Sequence, residues 1–202
     1  PSRVGELMQM PFAPCYQFSD LYLNGRYDGN YQVSDQMEVH KGRLEIARQD
    51  TMVTNPATDI SGGYFLEPEG NTASDGLYFM SKQGCHIRIH DPKPKVINPR
   101  QLNYIKAYIN KFESALYGDE FTHAKRGYRQ YTDTTSLIDW YLVQEISANP
   151  DGFWCSYIYK ERADERLYFG PIWDFDICWN NCSRMGDVSK RLAIQFGYGS
   201  NY

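Results

Sequence analysis

The stretch 149–176, NPDGFWCSYIYKERADERLYFGPIWDFD, decides the fold. Pro150 ends whatever helix precedes it, and Asp151-Gly152 is a turn-forming pair. Two short runs rich in aromatic and β-branched residues follow, SYIYK and RLYFG. The polar ERADE lies between them, so the three together read as a β-hairpin. PIWDFD comes next and carries Asp174 and Asp176. Hairpin strands lie only ~5 Å apart, so the two ends of the hairpin come together. Asp151 before the first strand and Asp174 after the second are therefore expected to face each other, with carboxylates roughly 4–8 Å apart, a span one divalent cation can share.

Upstream, the apolar residues Leu137, Ile138, Tyr141, Leu142 and Ile146 predict a helix from about Asp133 or Thr134 to Asn149, with this stripe facing the core. An earlier helix starts at Asn98-Pro99, an N-cap followed by proline at the first helical position. Its stripe is Leu102, Ile105, Ile109, Phe112 and Leu116, and Gly118 is a stop. Before it come the short strands YFLEPE, introduced by Gly62-Gly63, then LYFM and CHIRIH. In the last of these Ile87 and Ile89 alternate with His86, Arg88 and His90, which predicts a half-buried strand. His86 and His90 would share one face, as two solvated side chains or, alternatively, as metal ligands. Further upstream, Phe18–Leu23, Asn24-Gly25 and Tyr27–Ser34 read as a hairpin closed by a tight turn. MEVHKGRLEI follows, with a turn at Gly42, and residues 1–17 read as an irregular lead-in broken by Pro11 and Pro14. Strands, two main helices, then a C-terminal hairpin carrying the acidic residues predict an α+β fold of mostly antiparallel strands rather than a parallel α/β sheet.

The 202 residues suit one domain, 1–202, and are 42% hydrophobic and 23% charged, an ordinary water-soluble balance. A net charge of -4 lacks the basic footprint of a nucleic-acid binder. No apolar run approaches the ~18 residues of a membrane span. The chain starts at Pro1 rather than Met, so it is expected to be an N-terminally truncated fragment. Five cysteines leave at least one without an internal partner; Cys178 and Cys182 read as plain thiols, a disulfide or half a metal site.

Converging carboxylates repel when ionised, and a divalent cation is the usual remedy. Mg²⁺ takes one or two carboxylates and completes its shell with water and phosphate oxygens. Asp151 and Asp176 also have structural readings, as turn former and local hydrogen-bonding group. Asp174, flanked by Trp173 and Phe175, needs a partner for a partly desolvated charge. An Asp151/Asp174 pair hydrolysing glycosides is a further alternative.

Four blocks in order resemble the CotH kinase-like family of spore-coat proteins: LYLNGRYDGNYQVSDQMEVHKGRL, GGYFLEPE, NPDGFWCSYIYK and GPIWDFD, from about Leu21 to Asp176. The resemblance implies a kinase-like fold that uses ATP and Mg²⁺ or another divalent cation to phosphorylate protein serine or threonine. On that resemblance Asp151 is the catalytic-loop aspartate, Asp174 the metal-binding one and Asp176 a second metal candidate. Trp173 packs on the nucleotide or shapes its loop. Ser156 stands five residues after Asp151, where kinases place an asparagine for the second metal. PSRVGELMQMPFAPC lacks the family's lysine-bearing strand, and neither Lys41 nor Lys82 matches it. The chain alone is therefore expected to bind Mg²⁺-ATP weakly or not at all and to be inactive. The resemblance further implies a bacterial protein that is extracellular or displayed on the cell surface, with a protein substrate or a coat partner. The alternative is a catalytically silent binding module that uses its 17 tyrosines to meet carbohydrate or a cell surface.

Overall fold

A computed structural model describes residues 1–49, 57–69, 76–183 and 186–196. The fold is α+β with two antiparallel sheets. Strands β1 (Tyr16–Leu23) and β2 (Arg26–Ser34) form a hairpin whose strands pair with each other in register Tyr16↔Ser34 to Leu23↔Arg26. The second sheet holds β3 (Tyr64–Glu69), β4 (Leu77–Met80), β5 (His86–Asp91), β6 (Ile158–Lys160) and β7 (Leu167–Phe169), in the order β4-β5-β3-β6-β7. Among the described residues the α-helices are α1 (Ser2–Leu7), α2 (Pro99–Leu116) and α3 (Thr134–Ser147).

Central strand β3 is buried at Tyr64, Phe65 and Leu66 because both faces of its sheet are covered. On one face Tyr64, Leu66, Ile87, Ile89, Ile158 and Leu167 meet Ile105, Tyr108 and Ile109 of α2. On the other, Phe65, Tyr157 and Tyr159 meet Phe12, Val39, Leu44 and Ile46. The chain enters β3 through Gly62 and Gly63. A Cβ on Gly63 would lie 2.3 Å from the Ala47 carbonyl oxygen, and its φ of +82° suits only glycine without strain.

Helix α2 starts as its sequence directs. The Asn98 side chain accepts from Gln101 N at 3.0 Å, and Gln101 Oε1 accepts from Asn98 N at 2.8 Å, a capping box. Asp133 caps α3 by accepting from Ser136 N at 2.8 Å. Arg166 on the β6–β7 arm reaches the same Asp133 at 2.9 Å and so ties the hairpin to the helix start.

Three sequence expectations need correction. The lead-in is not wholly irregular: residues 2–7 form α1, where Gly5 lets the helix approach Ile172 so closely that a Cβ would lie 2.8 Å from its Cδ1. Six residues carry no apolar stripe to announce a helix; tertiary packing makes it. The α3 stripe does not face the core, since Ile138, Leu142 and Ile146 are exposed while Val143, Gln144 and Ser147 are buried. That inward face is chosen by hydrogen bonds and tight backbone approach rather than by apolar area. His90 is half-buried and bonded to Glu67 instead of standing free in solvent. All five cysteines are thiols, with Cys85 and Cys178 buried.

Candidate active site

Ala148 ends α3 in the left-handed conformation, φ +50°, and turns the chain into Asn149. Asn149 is fully buried. Its Nδ2 donates to Gln144 Oε1 at 3.0 Å and to the Asp174 main-chain oxygen at 3.0 Å. One amide thus links the end of α3, the loop that carries Asp151 and the loop that carries Asp174. Asp151 opens a 3-10 turn whose Trp154 N donates back to the Asp151 carbonyl at 2.9 Å. Ser156 Oγ donates to the Gly152 carbonyl and closes the same turn. Gly152 lies against Gln144 so tightly that a Cβ would be 2.1 Å from Gln144 Oε1.

After β7 the chain turns at Gly170 and presents Trp173, Asp174 and Asp176. Asp174 has φ +57°, a left-handed conformation that aspartate tolerates better than most residues. Its carboxyl is held above the ordinary carboxylate range. Burial is the first cause, followed by the charges of Asp176 and Asp151, a hydrogen bond with Asp176 and the charge of Glu67. The residue as a whole remains solvent-exposed, and the crowding of carboxylates adds to the partial burial of its carboxyl. Asp151, Asp174 and Asp176 therefore share one electrostatic neighbourhood. The Ser156 hydroxyl proton is already committed to the Gly152 carbonyl, leaving its lone pairs for any further contact.

Trp173 and Asp174 line a cleft of about 490 Å³. The base of the β1–β2 hairpin and the residues flanking it also line the cleft: Pro14, Tyr16, Ser34, Asp35, Gln36 and Met37. His90 and Tyr157 complete the lining. The rings are in mutual contact, with Tyr157 and Trp173 centroids 5.0 Å apart, and His90 5.3 Å from both Tyr157 and Phe65. Trp173 Nε1 and Asn149 Oδ1 are buried polar atoms without a hydrogen-bond partner among the described residues. Beneath the cleft His90 Nε2 meets Glu67 Oε2 at 2.7 Å. Glu69, next on the same face of β3, is pushed up to about 7 by burial, then by its hydrogen bond with Glu67 and by Glu67's charge, against the opposing charge of Arg88.

The donor set fits a hard cation. Among the described residues no three His, Cys, Asp or Glu side chains form a ready-made metal cage. Asp174 and Asp176 supply two carboxylates that lack a basic neighbour among the causes acting on Asp174. One or two carboxylates are what Mg²⁺ takes from a protein when phosphate and water complete its shell.

Sequence reading missed Asn149, Glu67, His90 and the Pro14–Met37 wall as parts of the site. Asn149 had a signal, the N-x-D-G pattern of 149–152, in which the asparagine read only as the end of a helix. Glu67 and His90 come together through β3–β5 pairing, which spacing along the chain does not disclose.

Searches of curated proteins and of solved structures each returned no match. The model of the family described as CotH kinase protein matches residues 7–201, nearly the whole chain, and thus both walls of the cleft. The chain belongs to the CotH kinase family.

Proposed function

We propose that the cleft is a phosphoryl-transfer site that passes the γ-phosphoryl group of ATP to a serine or threonine hydroxyl of a protein. The observation that carries this is the crowding of Asp174 by Asp176 and Asp151 at the mouth of an aromatic-lined cleft. Asp174, with Asp176 beside it, would hold a divalent cation such as Mg²⁺, which neutralises charge on the phosphates when bound. Asp151 orients the acceptor hydroxyl and takes its proton. It needs little basicity for this, because positioning carries most of such a reaction. Trp173, backed by the buried Tyr157 5.0 Å away, would stack on the base of the nucleotide. Ser156 supports the Asp151 turn and would offer its hydroxyl lone pairs to a second cation. Asn149 fixes the two aspartate loops at one separation through its bonds to Gln144 and Asp174.

Turnover by the chain alone should be slow, since its cleft offers the phosphates little positive charge. The test is therefore single-turnover label transfer from γ-labelled ATP, with the chain in excess and millimolar Mg²⁺, onto a serine- and threonine-rich acceptor. Asp151→Asn and Asp174→Asn should each cut transfer by at least about 100-fold, the scale of a lost acid–base group. Transfer that survives both substitutions would remove these residues from the chemistry.

A second reading has its own support. The β1–β2 hairpin exposes Phe18, Tyr22, Leu23, Tyr27 and Val33. Contact of this arm with a coat or cell-surface partner, outside the cell, would suit a display protein whether or not it turns over ATP. Retention on a carbohydrate matrix that is lost in Phe18→Ser/Tyr22→Ser would favour it.

A further inference from the structure

We propose that His90, held by the buried Glu67, is the group that meets the anionic end of the ligand in the cleft, where a kinase-type site would use lysine. The inference rests on the phosphoryl-transfer reading and adds to it the source of positive charge. Among the described residues lining the cleft, His90 is the one basic side chain. Its Nε2 is bound to Glu67 Oε2 at 2.7 Å, and Glu67 is almost fully buried. Its Nδ1 makes no hydrogen bond among the described residues. The ring packs against Phe65 and the edge-on Tyr157, each 5.3 Å away and themselves in contact at 4.7 Å. A ring so held keeps one nitrogen on the carboxylate and leaves the other for the cleft.

With Nε2–H donated to Glu67, a neutral imidazole has a lone pair on Nδ1 and repels a phosphate oxygen. The imidazolium carries a second N–H there and donates to it. The other charged or titratable groups around it are Asp91 and Arg88 on β5, Glu69 on β3, Tyr157, Asp174 and, across the cleft, Asp35. A lysine would keep its charge at every relevant pH, whereas this arrangement makes anion binding stronger as pH falls.

The test compares wild type, His90→Gln and His90→Lys by titration calorimetry with ATP and with adenosine, at pH 5.5 and 8.5 in constant Mg²⁺. Circular dichroism checks the fold of each variant. ATP's own ionisation cancels in the ratio of wild type to His90→Gln. At pH 5.5 that ratio should be about tenfold, the size of one charge-assisted hydrogen bond. At pH 8.5 it should be close to one, while the ratio of His90→Lys to His90→Gln should be the same at both. Adenosine, which has no phosphate, should bind all three alike. Equal ATP binding by wild type and folded His90→Gln at pH 5.5 overturns this inference and leaves the phosphoryl-transfer reading standing. A matching loss of adenosine affinity in His90→Gln also overturns it, as a loss of cleft shape. Failure of wild type to bind ATP at either pH overturns both.

Discussion

Replacing Asp174 with asparagine should make the metal-free protein more stable while disabling its site. Asparagine keeps the size of the side chain, tolerates φ +57° and can still bond Asp176. It removes only the charge. Because the folded carboxyl is held above its ordinary value of 3.8, the native state binds more protons than the unfolded state in the window above that value. Stability contributed by Asp174 therefore falls as pH rises through the window, and the full penalty is present at pH 7. The residue is solvent-exposed, so the penalty belongs on the scale of screened surface charges, about 0.5–1 kcal/mol. For a chain of this size that is a rise in Tm of about 1–4 °C. Below the carboxylate range the two proteins should melt together. Mg²⁺ should raise the Tm of wild type, by about 1–3 kcal/mol equivalent at 10–100 times Kd, and leave Asp174→Asn nearly unmoved. Scanning calorimetry in chelator and in Mg²⁺ measures all of this. A variant less stable than wild type in chelator at pH 7, or one with an undiminished Mg²⁺ response, would refute the crowding argument.

Other perturbations have definite expected outcomes. Asn149→Ala should lose about 1–3 kcal/mol in urea unfolding, because it strips the buried Gln144 Oε1 and the Asp174 carbonyl of a donor; transfer should fall with it as the two loops separate. Gly152→Ala should cost about 1–3 kcal/mol through its 2.1 Å clash with Gln144, measured the same way. Alkaline pH should unfold the protein early. Tyr104 and Tyr168 are pushed up to about 12 by burial, and Tyr64, Tyr108, Tyr157 and Tyr159 are pushed higher for the same reason. The unfolded chain therefore releases protons first, and stability should fall as pH rises above 10, followed by tyrosinate absorbance and circular dichroism.

Local signals carried far into this fold. Asn24-Gly25, Asn98-Pro99 and the Gly-Gly before Tyr64 marked element boundaries because each answers a backbone requirement that neighbours alone impose. Helix α2 was legible because Ile105 and Ile109 of its apolar stripe are buried and Leu102 and Phe112 pack against the same core, although Gln101 and Glu113 are buried with them. Helix α3 was not, because Gln144 and Ser147 face inward for their hydrogen bonds while Ile138, Leu142 and Ile146 face solvent. Asp151, Asp174 and Asp176 were legible as a group since a hairpin joins them in sequence. The cleft was not, because its walls come from residues 14–37, from β5 and from the loop after β7. Long-range contacts such as β3–β5 pairing and the packing of Phe65 on Tyr157 bring those segments together.

The central claim, that Asp174 holds the cation through which this cleft engages ATP, is most directly tested by titrating Mg²⁺-ATP into wild type and Asp174→Ala. Weak binding by wild type that vanishes with chelator and with the substitution is the result expected. Tight binding that persists in Asp174→Ala, or binding indifferent to Mg²⁺, would contradict it.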